Sequence, residues 1–210
     1  MKMPKECENC WTRLNRGCNI ERAYGTTLCY SRKKLEPKRI AEEKAKKFLK
    51  LKPLKLNLGC GPNKLVGFVN IDKQKEVNPD LVWNVEEGLP FPDNSVDLIY
   101  SNHFLEHIDN FIGLMRECWR VLKPNGLFEA TVPCYPDPAC FSSPFHKRVF
   151  TENTFKYFSK NPFGCWDCRK DFSFEIIKLE NRESKYFEVT AKGRFYGTKR
   201  ELFVRMQAVK

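Results

Sequence analysis

An α/β sheet with helices on its faces is predicted from three observations. Short runs rich in Leu, Ile and Val recur from Leu54 onward, helical or loop segments separate them, and the first run ends abruptly in Gly59, Cys60 and Gly61. Strands that alternate with helical segments bury one another's apolar faces in this layered arrangement.

Along the chain, residues 1–36 form a Cys-rich basic extension containing "CENC". Residues 37–53 read as a basic amphipathic helix or linker that Pro37 opens and Pro53 closes, with Ile40, Ala41, Ala45, Phe48 and Leu49 on one face. Such a helix could touch a membrane or nucleic acid; covering the main sheet explains its pattern as well and is the preferred reading. Residues 54–210 form the main domain. "LKLNLGC", "GFVNID", "LVWNV" and "VDLIYSN" read as four strands. "NFIGLMRECWRVLKPNG" then places Phe111, Leu114, Cys118, Val121 and Leu122 on one helical face, with Asp109 or Asn110 as N-cap and "KPNG" as stop. "LFEATVP" makes a fifth strand. "FSFEIIKLENRE" and "RELFVRMQAV" are two more, near enough to pair antiparallel.

Composition narrows the class. Hydrophobic residues make up 41% and charged residues 30%, the balance of a globular chain. No apolar run reaches membrane-spanning length, and "MKMPKECENC" lacks the apolar core of a secretory signal, so a cytoplasmic protein is expected. The net charge of +11 is uneven: residues 1–56 carry 16 Lys/Arg against 6 Asp/Glu, and residues 57–210 carry 21 against 20. Any attraction to nucleic acid therefore resides in the N-terminal segment; the plain alternative is a solvated arm.

A ligand of an open α/β sheet sits outside the carboxyl ends of its strands. Gly59 and Gly61 lie there, where a missing Cβ lets a ligand approach the backbone. Asp72 closes the second strand, where a carboxylate can accept hydrogen bonds from both hydroxyls of a ribose. The pyrophosphate fingerprint is missing: Pro62 follows at once, the third glycine is absent, and only a short loop precedes strand two. S-adenosylmethionine, a nucleoside without phosphate, fits what is present.

"LNLGCG", "VNID", "LPFPDNSVDLIYSNHFLEHI" and "VLKPNG", in that order, resemble the class I (Rossmann-like) S-adenosylmethionine-dependent methyltransferases, in particular their small type 11-like domains. The resemblance covers roughly residues 54–210. It implies a seven-stranded, mostly parallel sheet whose last strand is inserted antiparallel, and transfer of a methyl group by in-line displacement. It implies further that Gly59, Cys60 and Gly61 lie under the cofactor's amino-acid end and that Asp72 holds the ribose. Asn84 and Val85 would edge the adenine, Ser101 and Asn102 would approach the methionine portion, and His107 would pack beside the cofactor. The first crossover helix of the family is reduced to almost nothing between Gly61 and Phe68.

His146 is the candidate for acid–base or substrate contact, with a structural histidine as the alternative, and His103 is a second candidate. Glu106 is expected to favour a helix N-terminus. Cys134 is read as an inert thiol rather than a nucleophile. Cys7, Cys10, Cys18 and Cys29, spaced C-x2-C-x7-C-x10-C, offer four thiolates for zinc. Cys165 and Cys168 offer a second pair, and reduced cysteines without a ligand are the alternative. The acceptor stays open among small molecules, sugars, lipid head groups, proteins and RNA. The rival functions are a non-catalytic module binding S-adenosylmethionine or nucleic acid, and a nucleotide-dependent oxidoreductase.

Overall fold

The structure, a computed structural model, describes residues 30–159, 171–190 and 193–210. The chain divides into two compact units, Met1–Ile40 and Ala41–Lys210. The sheet of the second unit has seven strands: β1 (Lys55–Leu58), β2 (Val69–Asp72), β3 (Leu81–Val82), β4 (Val96–Asn102), β5 (Leu122–Pro133), β6 (Ser173–Thr190) and β7 (Gly193–Val209). Their spatial order is β3-β2-β1-β4-β5-β7-β6. The first five pair in parallel, and β7 runs antiparallel between β5 and β6. This is the arrangement the motifs imply, with the strand order reversing on either side of β1 and β4.

Three α-helices occur among the described residues: α1 (Tyr30–Lys46), α2 (Phe111–Val121) and α3 (Glu152–Lys156). Pro37, expected to open the first helix, lies inside α1, and the helix gives way to a 3-10 turn at Lys47–Lys50 before reaching Pro53. A proline within a helix forfeits one backbone hydrogen bond, and the turns on either side here continue the helix past it. Ala41 and Ala45 join the buried core, so part of the expected apolar face is used against the sheet.

The β1–β2 crossover has no helix at all. Two buried asparagines satisfy its backbone instead. Asn57 Nδ2 donates to Asn70 Oδ1 at 2.9 Å and to the Asn63 carbonyl at 3.3 Å. Asn70 Oδ1 accepts from Leu65 N at 2.8 Å, and Asn70 Nδ2 reaches the carbonyls of Leu65 and Phe68 and Asp80 Oδ2. Buried backbone groups outside helix or sheet need such partners, and side-chain amides supply both donors and acceptors. That is how a loop far shorter than a crossover helix joins two parallel strands.

The β4–β5 connection is conventional by contrast. Asn110 caps α2 by accepting from Gly113 N at 3.0 Å, and Phe111, Leu114, Met115, Cys118 and Val121 are buried. "KPNG" falls inside β5: Val96 pairs with Leu122, then Leu98 with Leu127, so the residues between loop out and the chain rejoins the sheet. Arg120 ties the incoming "LPFPD" segment to α2. Its guanidinium donates to Glu117, to Asp93 and to the carbonyls of Leu89 and Phe91 at 2.6–3.0 Å. Phe111 also packs edge-on to Phe150 and Phe158, each with centroids 5.4 Å away, and so seats the segment that follows β5.

Candidate active site

The glycines expected to floor a ligand crevice adopt the backbone that demands glycine. Gly59 has φ +63° and Gly61 φ +49°. They are not equivalent. A Cβ on Gly61 would meet nothing within 4 Å, whereas one on Gly59 would lie 2.0 Å from the ring of Phe104. Open space therefore adjoins Gly61, and an aromatic wall rests on Gly59. Asp72 faces this loop from the end of β2: its Oδ2 accepts from Gly61 N and its Oδ1 from Gln74 N, both at 2.9 Å. Cys60 between the glycines is buried, and burial followed by the charges of Asp72 and Asp80 pushes its thiol up to about 11.

Beyond β3, Asn84 caps the 3-10 turn Val85–Glu87, its Oδ1 accepting from Glu86 N at 3.2 Å, and the Val85 side chain is buried. At the end of β4, Ser101 is fully buried with Oγ 3.5 Å from the Leu58 carbonyl, while Asn102 is exposed.

The segment after β4 was only partly anticipated. His103 takes a left-handed backbone, φ +48°, and its ring is held at both nitrogens. Nδ1 lies 3.6 Å from Glu106 Oε1, and Nε2 lies 2.8 Å from Glu201 Oε1. Glu106, and to a lesser degree Glu201, raise its pKa above the usual imidazole value against the opposing effect of desolvation. Glu106 stands at a short helix start, in the first turn of the 3-10 turn Leu105–His107, yet it is 2% exposed and its Oε2 has no hydrogen-bond partner. The following residue, His107, is exposed and meets His146 edge-on at 4.9 Å between ring centroids. His107 Nδ1 faces the Phe145 carbonyl at 3.3 Å and His146 Nδ1 the Cys140 carbonyl at 3.0 Å. The loop between β5 and α3 thus closes on the end of β4. It also exposes Tyr135, Phe141 and Phe145.

Cys134 is buried, and burial foremost raises its pKa, as it does for Cys118 and Cys140. These thiols are protonated at neutral pH, which agrees with the inert reading of Cys134. Cys7, Cys10, Cys18, Cys29, Cys165 and Cys168 lie outside the described residues. Sequence reasoning did not single out Phe104, Asn57, Asn70 or Glu201. The two asparagines sit within the motifs "LNLGCG" and "VNID", and that placement is the one available signal.

An open sheet in this strand order, with a glycine loop after β1 and a carboxylate ending β2, defines a Rossmann-like methyltransferase fold. Known proteins agree. The family described as "Methyltransferase domain" matches residues 65–130. Demethylmenaquinone methyltransferase of Listeria welshimeri is 38% identical over 118 residues, covering 55% of this chain and 47% of that protein. A mitochondrial arginine-hydroxylase of Danio rerio is 28% identical over 94 residues, 36% of this chain and 29% of that one. The chain spans about half the length of the first of these relatives. Among solved structures, an S-adenosylmethionine-dependent methyltransferase of Methanosarcina mazei aligns with TM-score 0.52 at 18% identity, over 78% of this chain and 96% of its own. The YcgJ protein of Bacillus subtilis aligns with TM-score 0.52 at 14% identity, over 84% and 99%. Family match and fold together support the class I S-adenosylmethionine-dependent methyltransferase that the four motifs imply. No helix among the described residues is long and apolar enough to cross a membrane.

Proposed function

We propose that this chain transfers a methyl group from S-adenosylmethionine to an acceptor by in-line displacement. The cofactor supplies a methyl carbon already activated by its positive sulfur; the protein binds, aligns and excludes water. The observation that carries the reading is Asp72. It is fixed from two sides by backbone N–H groups, so its carboxylate is preorganised at the crevice, and each oxygen keeps a lone pair for a ribose hydroxyl. The open space at Gly61 supports the fit, and Phe104 on Gly59 supplies an apolar wall beside it.

On the acceptor side, the geometry favours His146 over His103. Both nitrogens of His103 face carboxylates, whereas His146 uses Nδ1 on a backbone carbonyl and keeps Nε2 for another partner. The exposed rings of Tyr135, Phe141 and Phe145 favour an acceptor with a flat apolar body, in keeping with the quinone named for the Listeria relative. The Cys-rich segment, with Cys7, Cys10, Cys18 and Cys29 as zinc ligands and its basic charge as a nucleic-acid contact, remains part of this proposal on spacing and charge alone. Elemental analysis and salt-dependent binding test those two features. A cytoplasmic location is proposed on the same composition that the sequence shows.

Titration calorimetry with S-adenosylmethionine tests the central assignment. Asp72→Ala is expected to weaken binding roughly 10- to 100-fold, the loss of charge-assisted hydrogen bonds. Unchanged affinity in a variant that still unfolds cooperatively would retire the proposal.

A further inference from the structure

We propose that Glu106, His107 and His146 form a binding site for a divalent transition-metal ion, separate from the cysteine segment. One ligand atom from each residue lies within 4.8 Å of the other two. Two imidazoles and one carboxylate make a nitrogen-rich, borderline-soft donor set, which suits zinc, iron(II) or cobalt(II) rather than calcium or magnesium.

Two further observations point to an ion. Glu106 is 2% exposed, yet its Oε2 has no partner. A buried carboxylate oxygen left unpaired is costly, and a cation beside it removes that cost. The other oxygen is already directed at His103, so Oε2 is the one left to bind. Second, both imidazoles turn Nδ1 to a backbone carbonyl, His107 to Phe145 and His146 to Cys140. A carbonyl only accepts, so each Nδ1 is the donor, and in the neutral ring each Nε2 then carries the lone pair. Metal-binding histidines are oriented in just this manner, by an N–H given to an outer carbonyl.

The elements that bring the ligands together are independent of one another. Glu106 and His107 follow β4 in the 3-10 turn Leu105–His107, and His146 arrives on the loop after β5. Lys147 N donates to the Glu106 carbonyl at 2.7 Å, and Arg148 donates to the carbonyls of Ile108 and Asp109, which hold that loop in place. Three protein ligands leave at least one position on the ion for water or for an oxygen of the acceptor, so His146, its Nε2 taken by the ion, would meet the acceptor through it, and His107 at the solvent edge keeps the site reachable. An ion there would lower the pKa of a bound acceptor hydroxyl, a role that presupposes methyl transfer; the binding itself does not.

The chain contains three histidines, so the imidazole ring signals in proton–carbon NMR report on the site without any substitution. Full-length protein, stripped with a chelator and free of cofactor, is titrated with zinc chloride until the spectrum stops changing. Signals of His107 and His146 are expected to shift at a common equivalence point while that of His103 moves far less. His107→Ala, a change at an exposed residue, is expected to abolish the His146 shift and lower bound zinc by about one equivalent per chain, leaving any thiolate-bound zinc in place. Unmoved His107 and His146 rings at saturating zinc would overturn the site, and so would equal zinc content in the variant and parent. Calorimetry with S-adenosylmethionine on the same stripped sample keeps failure of this site distinct from failure of the cofactor reading.

Discussion

The two flanks of the proposed cofactor site, at β1 and β4, are built by opposite strategies. On the β1–β2 side the demands fall on the backbone: two glycines with positive φ, a carboxylate bonded to backbone N–H groups, and buried asparagines replacing a crossover helix. On the β4–β5 side they fall on side chains from distant segments, with His103, Glu106 and His107 meeting His146 and Glu201. The first flank is a rigid floor specified locally. The second is assembled by the fold, and under the proposed function acceptor choice would belong there, because loops vary more readily than the elements that position them.

Stability should separate the flanks most sharply. Asn70→Ala removes the acceptor of Leu65 N, one of the two acceptors of Asn57 Nδ2 and the amide donor to the Phe68 carbonyl, so a loss of about 3 kcal/mol is expected in urea unfolding. Asn102→Ala, on the exposed end of β4, should change stability by less than about 0.5 kcal/mol. Similar losses for the two would erase the distinction.

The glycines sharpen it further. Gly59→Ala meets both a left-handed backbone and the Phe104 ring, whereas Gly61→Ala meets the backbone alone. The left-handed conformation costs a non-glycine residue roughly 1–2 kcal/mol. Gly61→Ala should therefore lose about that much in denaturant unfolding and Gly59→Ala more, because the ring must also shift. Combining Gly59→Ala with Phe104→Ala should return part of the difference; if it does not, the contact with Phe104 is not what makes Gly59 necessary.

What was legible in the sequence follows the same division. Strand runs, the glycine loop and Asp72 could be read because each imposes a local rule on residue type, and four motifs in order carried the family. "VDLIYSN" coincides with β4 from Val96 to Asn102. The reach of α1 past Pro37 was not legible, since a single proline ordinarily marks a helix start and here the helix continues on both sides. Nor was the meeting of Glu106, His107 and His146: the loop that delivers His146 lies some forty residues away, and no periodicity encodes its path. Phe104 escaped because an aromatic in "NHFLEH" reads as core, and its contact with Gly59 exists only in three dimensions.

The smallest expected effect concerns His103, which belongs to the side-chain flank yet carries a backbone demand as well. Asn tolerates its φ of +48°, so His103→Asn removes the charge with little added strain. With Glu106 and then Glu201 raising the native pKa, protonated His103 favours the folded state. That contribution is complete below the unfolded value near 6.5 and disappears as pH rises through the raised native pKa. The stability gap between parent and variant should therefore shrink as pH climbs from about 6.5, read as denaturant midpoints in one buffer series. A gap that widened with pH would mean the carboxylates do not hold this ring charged, and a flat gap would assign His103 to packing alone. Salt offers a second reading of the same contact: the ring is only partly exposed, so added sodium chloride should diminish the gap less than it would for a surface pair.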